Sequence, residues 1–284
     1  MKLAVIALCA LLIGVPAPAL AEDYSGTWTL EHSSEAGMVQ LGLRYQHTTA
    51  TGNEEWDESR SVPWSDLNGV SASDLDSGDI QKSFSIVHDA GTFAAQGSLS
   101  RGHGAGVWVF QPSASFNTGL SRRGIGSADA KQQFELAMSD FKLSTLDQLL
   151  ASGFQRPSVG DLVSMIEHGV SDRYIQEMRG LGLRPNSAQS LIRMRDHGVG
   201  SSFATAVMRA LPGTSVEKLI ELRDHGVGTS YMQEIAQLGI RVTADDLIRL
   251  RDHGVSTSFI QRMRSHGYTK LSVDDLIRLR DSGF

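Results

Sequence analysis

Four histidines, His168, His197, His225 and His253, recur every 28 or 29 residues, and each is followed at once by a glycine. Arg-Asp pairs stand beside them: Arg195-Asp196, Arg223-Asp224 and Arg251-Asp252 directly precede three of the histidines, and Arg280-Asp281 precedes Ser282 at the fifth position. Imidazoles and carboxylates in regular array are the raw material of metal centres and of acid–base catalysis. The spacing argues for neither. A metal draws three or four ligand atoms to about 2 Å, whereas packed helices lie roughly 8–10 Å apart, so neighbouring rungs do not share an ion. The histidines read instead as the last residues of helices, where a partly charged ring faces the negative end of the dipole. We expect no metal and no cofactor. The Arg-Asp pairs read as an exposed polar ladder, and Arg195, Asp196, Arg223, Asp224, Arg251, Asp252, Arg280 and Asp281 are the candidate contact residues for a protein partner.

The elements that must position this ladder are legible around it. Leu247-Ile248-Arg249-Leu250-Arg251-Asp252-His253-Gly254-Val255 has close copies ending at Val199, Val227 and Phe284 and a looser one at Leu162–Val170. A fixed period of this size marks a stacked repeat array. Each copy opens on a hydroxyl (Ser158, Ser187, Ser215, Thr243, Ser272) suited to cap a helix N-terminus, often with an acid three residues on. Each closes on glycine plus an apolar residue, the left-handed helix cap. A second helix follows, with an aromatic at its first buried position: Tyr174, Phe203, Tyr231, Phe259. Weaker copies start at Ser113, Ser127 and Ser144, making twelve half-units over residues 113–284. Helices of about ten residues are unstable alone, so the expected fold of this part is an α-solenoid of short helix pairs.

Residues 22–112 change to alternating periodicity. Candidate strands are Thr27–Leu30, Val39–Tyr45, Ser83–His88, Thr92–Gln96 and Gly106–Phe110. A small antiparallel β domain, sandwich or barrel-like, is expected, with Trp28, Phe84, Phe93, Trp108 and Phe110 in its core. Thr48 to Asp79 reads as an acidic, loop-rich stretch that includes the cluster from Glu54 to Glu58. Arg101 to Gly104 reads as a turn. Asp74 to Asp79 superficially suggests a calcium loop, but lacks the twelve-residue spacing and the closing glutamate. The fold class is therefore α+β, in three parts: signal peptide 1–21, β domain 22–112, helical repeats 113–284.

The first part rests on Lys2, an apolar run from Leu3 to Val15 and an Ala-Leu-Ala ending, the pattern of a secretory signal peptide cut after about Ala21. The expected product is exported, periplasmic or secreted, with no membrane span in the mature chain. The single cysteine, Cys9, lies in that leader. Disulfides and cysteine chemistry are thereby excluded from residues 22–284. Residues 22–112 hold thirteen acids and four bases, and residues 113–284 nineteen acids and twenty-one bases. Neither balance is a nucleic-acid footprint. The G-x-S-x-G elbow and the phosphate-binding glycine loop do not occur, and the chain reads as a non-enzyme.

Phe84 to Phe110, with Asp89-Ala90-Gly91-Thr92-Phe93 and Gly102-His103-Gly104-Ala105-Gly106, followed by the helical His-Gly-Val repeats, resembles the extracytoplasmic region attached to some membrane peptidases of the BlaR1/MecR1 antirepressor type, and similar stand-alone exported proteins. Those peptidases carry His-Glu-x-x-His, which this sequence lacks. The resemblance implies a sensory or interaction appendage without proteolysis. Two functions are expected to compete: docking of an envelope protein on the helical surface, and small-ligand sensing by the β domain.

Overall fold

The computed structural model describes residues 24–49 and 52–283. Residues 1–23, with the expected signal peptide among them, and Phe284 lie outside them. The chain divides into two compact units, one made of the segments up to Val87 and from Gly91 to Pro112, the other of His88–Ala90 and everything from Ser113 on.

The first unit is one antiparallel sheet of six strands: β1 Ser25–His32, β2 Met38–Thr49, β3 Gly52–Pro63, β4 Ile80–His88, β5 Gly91–Ser100 and β6 His103–Pro112, in the order β3-β2-β1-β6-β5-β4. A four-residue helix, α1 (Ala72–Leu75), sits between β3 and β4. The alternation in β2 works as the period requires: Val39, Leu41, Leu43 and Tyr45 are buried and Arg44 is exposed. Trp28, Phe84, Phe93, Trp108 and Phe110 are all core.

Two stretches differ from the sequence reading. The acidic loop contains the full-length strand β3, paired with β2 from Met38↔Pro63 to Thr49↔Gly52. The exposed Glu55 and Asp57 hide the usual alternation, and charge of this kind blunts a sheet edge against pairing with other chains. The turn at Arg101–Gly104 is shorter than expected. Only Arg101 (φ 50°) and Gly102 (φ 89°) form it, both left-handed as a two-residue hairpin demands, and Gly104 and Gly106 belong to β6. Their lack of a side chain makes room for an indole: a Cβ on Gly106 would lie 2.8 Å from the Trp28 ring and 2.1 Å from the Gln96 carbonyl. Trp28 Nε1 donates to the carbonyls of Gln96 (3.2 Å) and Val107 (3.1 Å), and so lies satisfied across β5 and β6. The calcium-like segment is occupied by other work. Asp74 closes a capping box with Ser71 and pairs with Lys82, which together hold its carboxyl below the usual range. Asp76 faces His32, and Asp79 accepts from Ser100.

Among its described residues the second unit has twelve helices: α2 Ala114–Arg122, α3 Ala130–Met138, α4 Leu143–Ala151, α5 Val159–Glu167, α6 Asp172–Gly180, α7 Ala188–Asp196, α8 Ser201–Ala210, α9 Val216–Asp224, α10 Thr229–Gln237, α11 Ala244–Asp252, α12 Thr257–Ser265 and α13 Val273–Asp281. All five predicted hydroxyl caps, Ser158, Ser187, Ser215, Thr243 and Ser272, accept from the backbone N–H three residues on. Of the weaker copies, the first starts as expected, with Ser113 capping α2 at the Phe116 N–H, and the next two start elsewhere. Asp129 caps α3 in a box with Gln132, two residues past Ser127, and α4 begins at Leu143 with no side-chain cap. Helix ends follow the Schellman pattern: in α11, Val255 N–H donates to Leu250 (2.8 Å) and Gly254 N–H to Arg251 (2.9 Å), with Gly254 at φ 65° and Val255 fully buried. Each helix packs on the helix two places along, in two interleaved series: α3-α5-α7-α9-α11-α13 and α2-α4-α6-α8-α10-α12.

Candidate functional site

Helices α7, α9, α11 and α13 end in the Arg-Asp pairs, and the interleaved packing sets each end beside the corresponding end one repeat earlier. The histidine of one repeat meets the aspartate of the next. Nδ1 of His168, His197, His225 and His253 lies 2.7, 2.5, 2.7 and 3.0 Å from the carboxylates of Asp196, Asp224, Asp252 and Asp281. A carboxylate only accepts, so the ring presents Nδ1–H to it. Both partners are close to half exposed at every rung, which places these bonds in the range of surface pairs, about 0–1 kcal/mol each.

The arginines reach back to the preceding repeat too, over 20 or 21 residues. Arg195 lies over the Tyr174 ring, Arg223 over Phe203, Arg251 over Tyr231 and Arg280 over Phe259, with 4.9, 5.0, 5.0 and 5.6 Å to the ring centroids. The guanidinium also passes against the capping glycine of the earlier repeat. A Cβ on Gly169 would sit 3.0 Å from Arg195, and Arg280 Nε donates to the Gly254 carbonyl at 3.1 Å. Each cation–π contact at such an exposed site contributes roughly 0.5–1 kcal/mol. Under the arginines, Tyr174 and Tyr231 donate their hydroxyls to the carbonyls of Val199 and Val255, 2.8 Å each. Burial pushes both phenols up to about 12, against the opposing pull of Arg195 and Arg251.

All eight predicted contact residues therefore lie at the same seams, one Arg-Asp pair per seam, each engaged with the preceding repeat while remaining solvent-exposed. What the sequence reading missed is their shared purpose. Histidine, aromatic and Arg-Asp pair read as separate columns, although the partners stand one repeat apart, 27 or 28 residues for His to Asp. Complementary residue types recurring at the repeat spacing are the signal that finds such a seam. No group of three or more metal-ligating side chains occurs among the described residues, and each rung offers one imidazole and one carboxylate.

Other seam contacts are less regular. Glu177 accepts from Ser201 and Glu234 from Thr257, tying successive second-series helices together. Lys218 bridges Glu221 and Asp245, which raises its pKa, and Arg249 reaches Asp274 at 2.5 Å. The face they leave is a regular polar edge of guanidinium, carboxylate and imidazole groups held in fixed positions. Held charges of this kind make directional hydrogen bonds at low entropic cost. No protein-family model, curated protein or solved structure matches this chain.

Proposed function

We propose that this chain is an exported, non-enzymatic docking protein, whose helices stack as an α-solenoid and whose Arg-Asp edge meets a protein partner in the cell envelope. The observation that carries the reading is the fourfold recurrence of one exposed arrangement, Arg over aromatic and Asp on His, at a constant repeat spacing. A surface repeated in this way offers the same polar groups at regular intervals to a partner of matching periodicity. Export and the envelope location rest on the leader-like sequence of residues 1–21 and on the resemblance to extracytoplasmic appendages. No helix among the described residues is long and apolar enough to cross a membrane.

The test is in-cell crosslinking with two triple variants at Arg195, Arg223 and Arg251, one to Lys and one to Glu. The lysine variant keeps the charge and loses the flat stacking group, so capture of the partner should persist. The glutamate variant should lose capture while far-UV circular dichroism shows the helices intact. Equal capture by the glutamate variant and the parent overturns the reading.

A further inference from the structure

One repeat departs from the helix-ending rule, and the departure opens a cleft. Second-series helices α6, α10 and α12 each finish on a left-handed glycine and an apolar residue whose N–H closes the last turn: Leu183 to Met178, Ile240 to Ile235, Tyr268 to Met263. In α8 the aligned residues are Leu211 and Pro212. Proline has no N–H to make the closing bond, Leu211 takes a different backbone conformation (φ −133°, ψ 75°), and Pro212 is exposed. Between the α6–α7 loop and the α8–α9 loop lies an open cleft of about 360 Å³, within the size range of ligand sites.

Its lining has two characters. Leu183 and Val216 are buried and Met208 is half-buried, giving an apolar floor, while Arg184, Thr214 and Glu217 stand at the rim. The backbone is also unbridged. One repeat earlier, Gln155 N–H donates to the Asn186 carbonyl at 2.6 Å and ties the two loops together. The equivalent Arg184 N–H and Thr214 carbonyl make no hydrogen bond among the described residues. An unmet donor and an unmet acceptor on opposite walls are what a strand of polypeptide satisfies. Of the lining residues, Arg184 is an exposed cation that forms no ion pair among the described residues.

We infer that this cleft takes an extended peptide segment of a partner protein, an aliphatic side chain entering between Met208 and Val216 and acidic residues lying toward Arg184, away from Glu217. The inference rests on the docking reading and adds to it a specific anchor and a sequence class for the bound segment.

The test uses the isotopically labelled full chain titrated with blocked hexapeptides, Asp-Asp-Ser-Leu-Ser-Ser and its reversed order, followed by amide NMR. One of the two orders should shift resonances of residues 183–184, 208 and 213–217 saturably. Replacing Leu by Ala in the peptide should weaken binding about tenfold or more, the expected loss for a buried leucine, and replacing Asp by Lys should abolish it. Met208→Trp, which fills the floor, should block binding, and the exposed Arg184→Glu should weaken it even if Met208→Trp folds poorly. Absence of saturable shifts, shifts elsewhere, or equal binding by Leu and Ala peptides overturns the inference. Peptide binding with partner capture unaffected by the triple glutamate variant would overturn the edge reading alone. Loss of capture in that variant, with no peptide binding, would overturn the cleft alone.

Discussion

The two units solve the same burial problem in opposite ways. In the sheet, every solution is used once: Trp28 lies over Gly106, with partners at Gln96 and Val107 some seventy to eighty residues away. In the helices from Ser158 on one solution recurs, and a residue's partners lie within its own turn or about one repeat away. The sheet is thus closed by one distant pairing, β1 with β6, and by single contacts around Trp28, the helices by near and redundant ones. Long-range pairing has a larger loop-closure cost before it is rewarded, so damage in the first unit should be all-or-none and damage in the second graded.

Gly106→Val is the sharpest way to break that contrast. Its side chain has no space between the Trp28 ring and the β5 backbone, and overpacking of this kind costs about 1–3 kcal/mol or more. Near-UV circular dichroism from Trp28 and Trp108 should collapse while the far-UV helical signal stays. A helical signal lost in parallel would show that the units do not behave separately. Next in size is Leu222→Ala, at a fully buried position in the middle of the array, with an expected loss of about 2–5 kcal/mol in urea unfolding. Leu279→Ala, at the equivalent but only half-buried position of α13, should cost clearly less. Equal losses would contradict a graded array.

Tyr231→Phe removes the hydroxyl that reaches Val255 and should cost about 1 kcal/mol, a change the molecule already carries at Phe203 and Phe259. The same phenol sharpens the comparison with pH. Its folded value near 12 lies above the ordinary 10, so the unfolded chain ionises first. Stability from Tyr174 and Tyr231 should be complete below pH 10 and lost as pH rises toward 12, and the double Phe variant should remove that component from an alkaline melting series. The smallest effect belongs to the rungs: Asp224→Asn should shift stability by at most about 1 kcal/mol, less in high salt. A larger loss would mean that the His-Asp seam carries far more than its exposure allows.

The repeats were more legible than the sheet for the same reason. Caps, stripes and glycine stops are local signals, and Ser187, Leu191 and Gly198 announce their roles within one helix. The strand β3 announces nothing locally, since Asp57 and Glu58 follow Trp56 without alternation and only pairing with β2 makes them a strand. Gly104 misled because one cause of it, the Trp28 ring, lies far upstream. At the candidate site the residues were visible and their wiring was not, because Arg251 finds Tyr231 only once α10 and α11 are both in place.

The seam has one more consequence. Each junction draws its histidine and aromatic from one copy of the repeat and its Arg-Asp pair from the following copy. An in-frame duplication of one such unit, residues 229–256 for example, carries both halves of the junction with it, and the new boundary is chemically complete the moment it is made. Lengthening by gene duplication therefore needs no compensating mutation at these seams, and the number of copies is free to change among descendants while the junction chemistry stays the same.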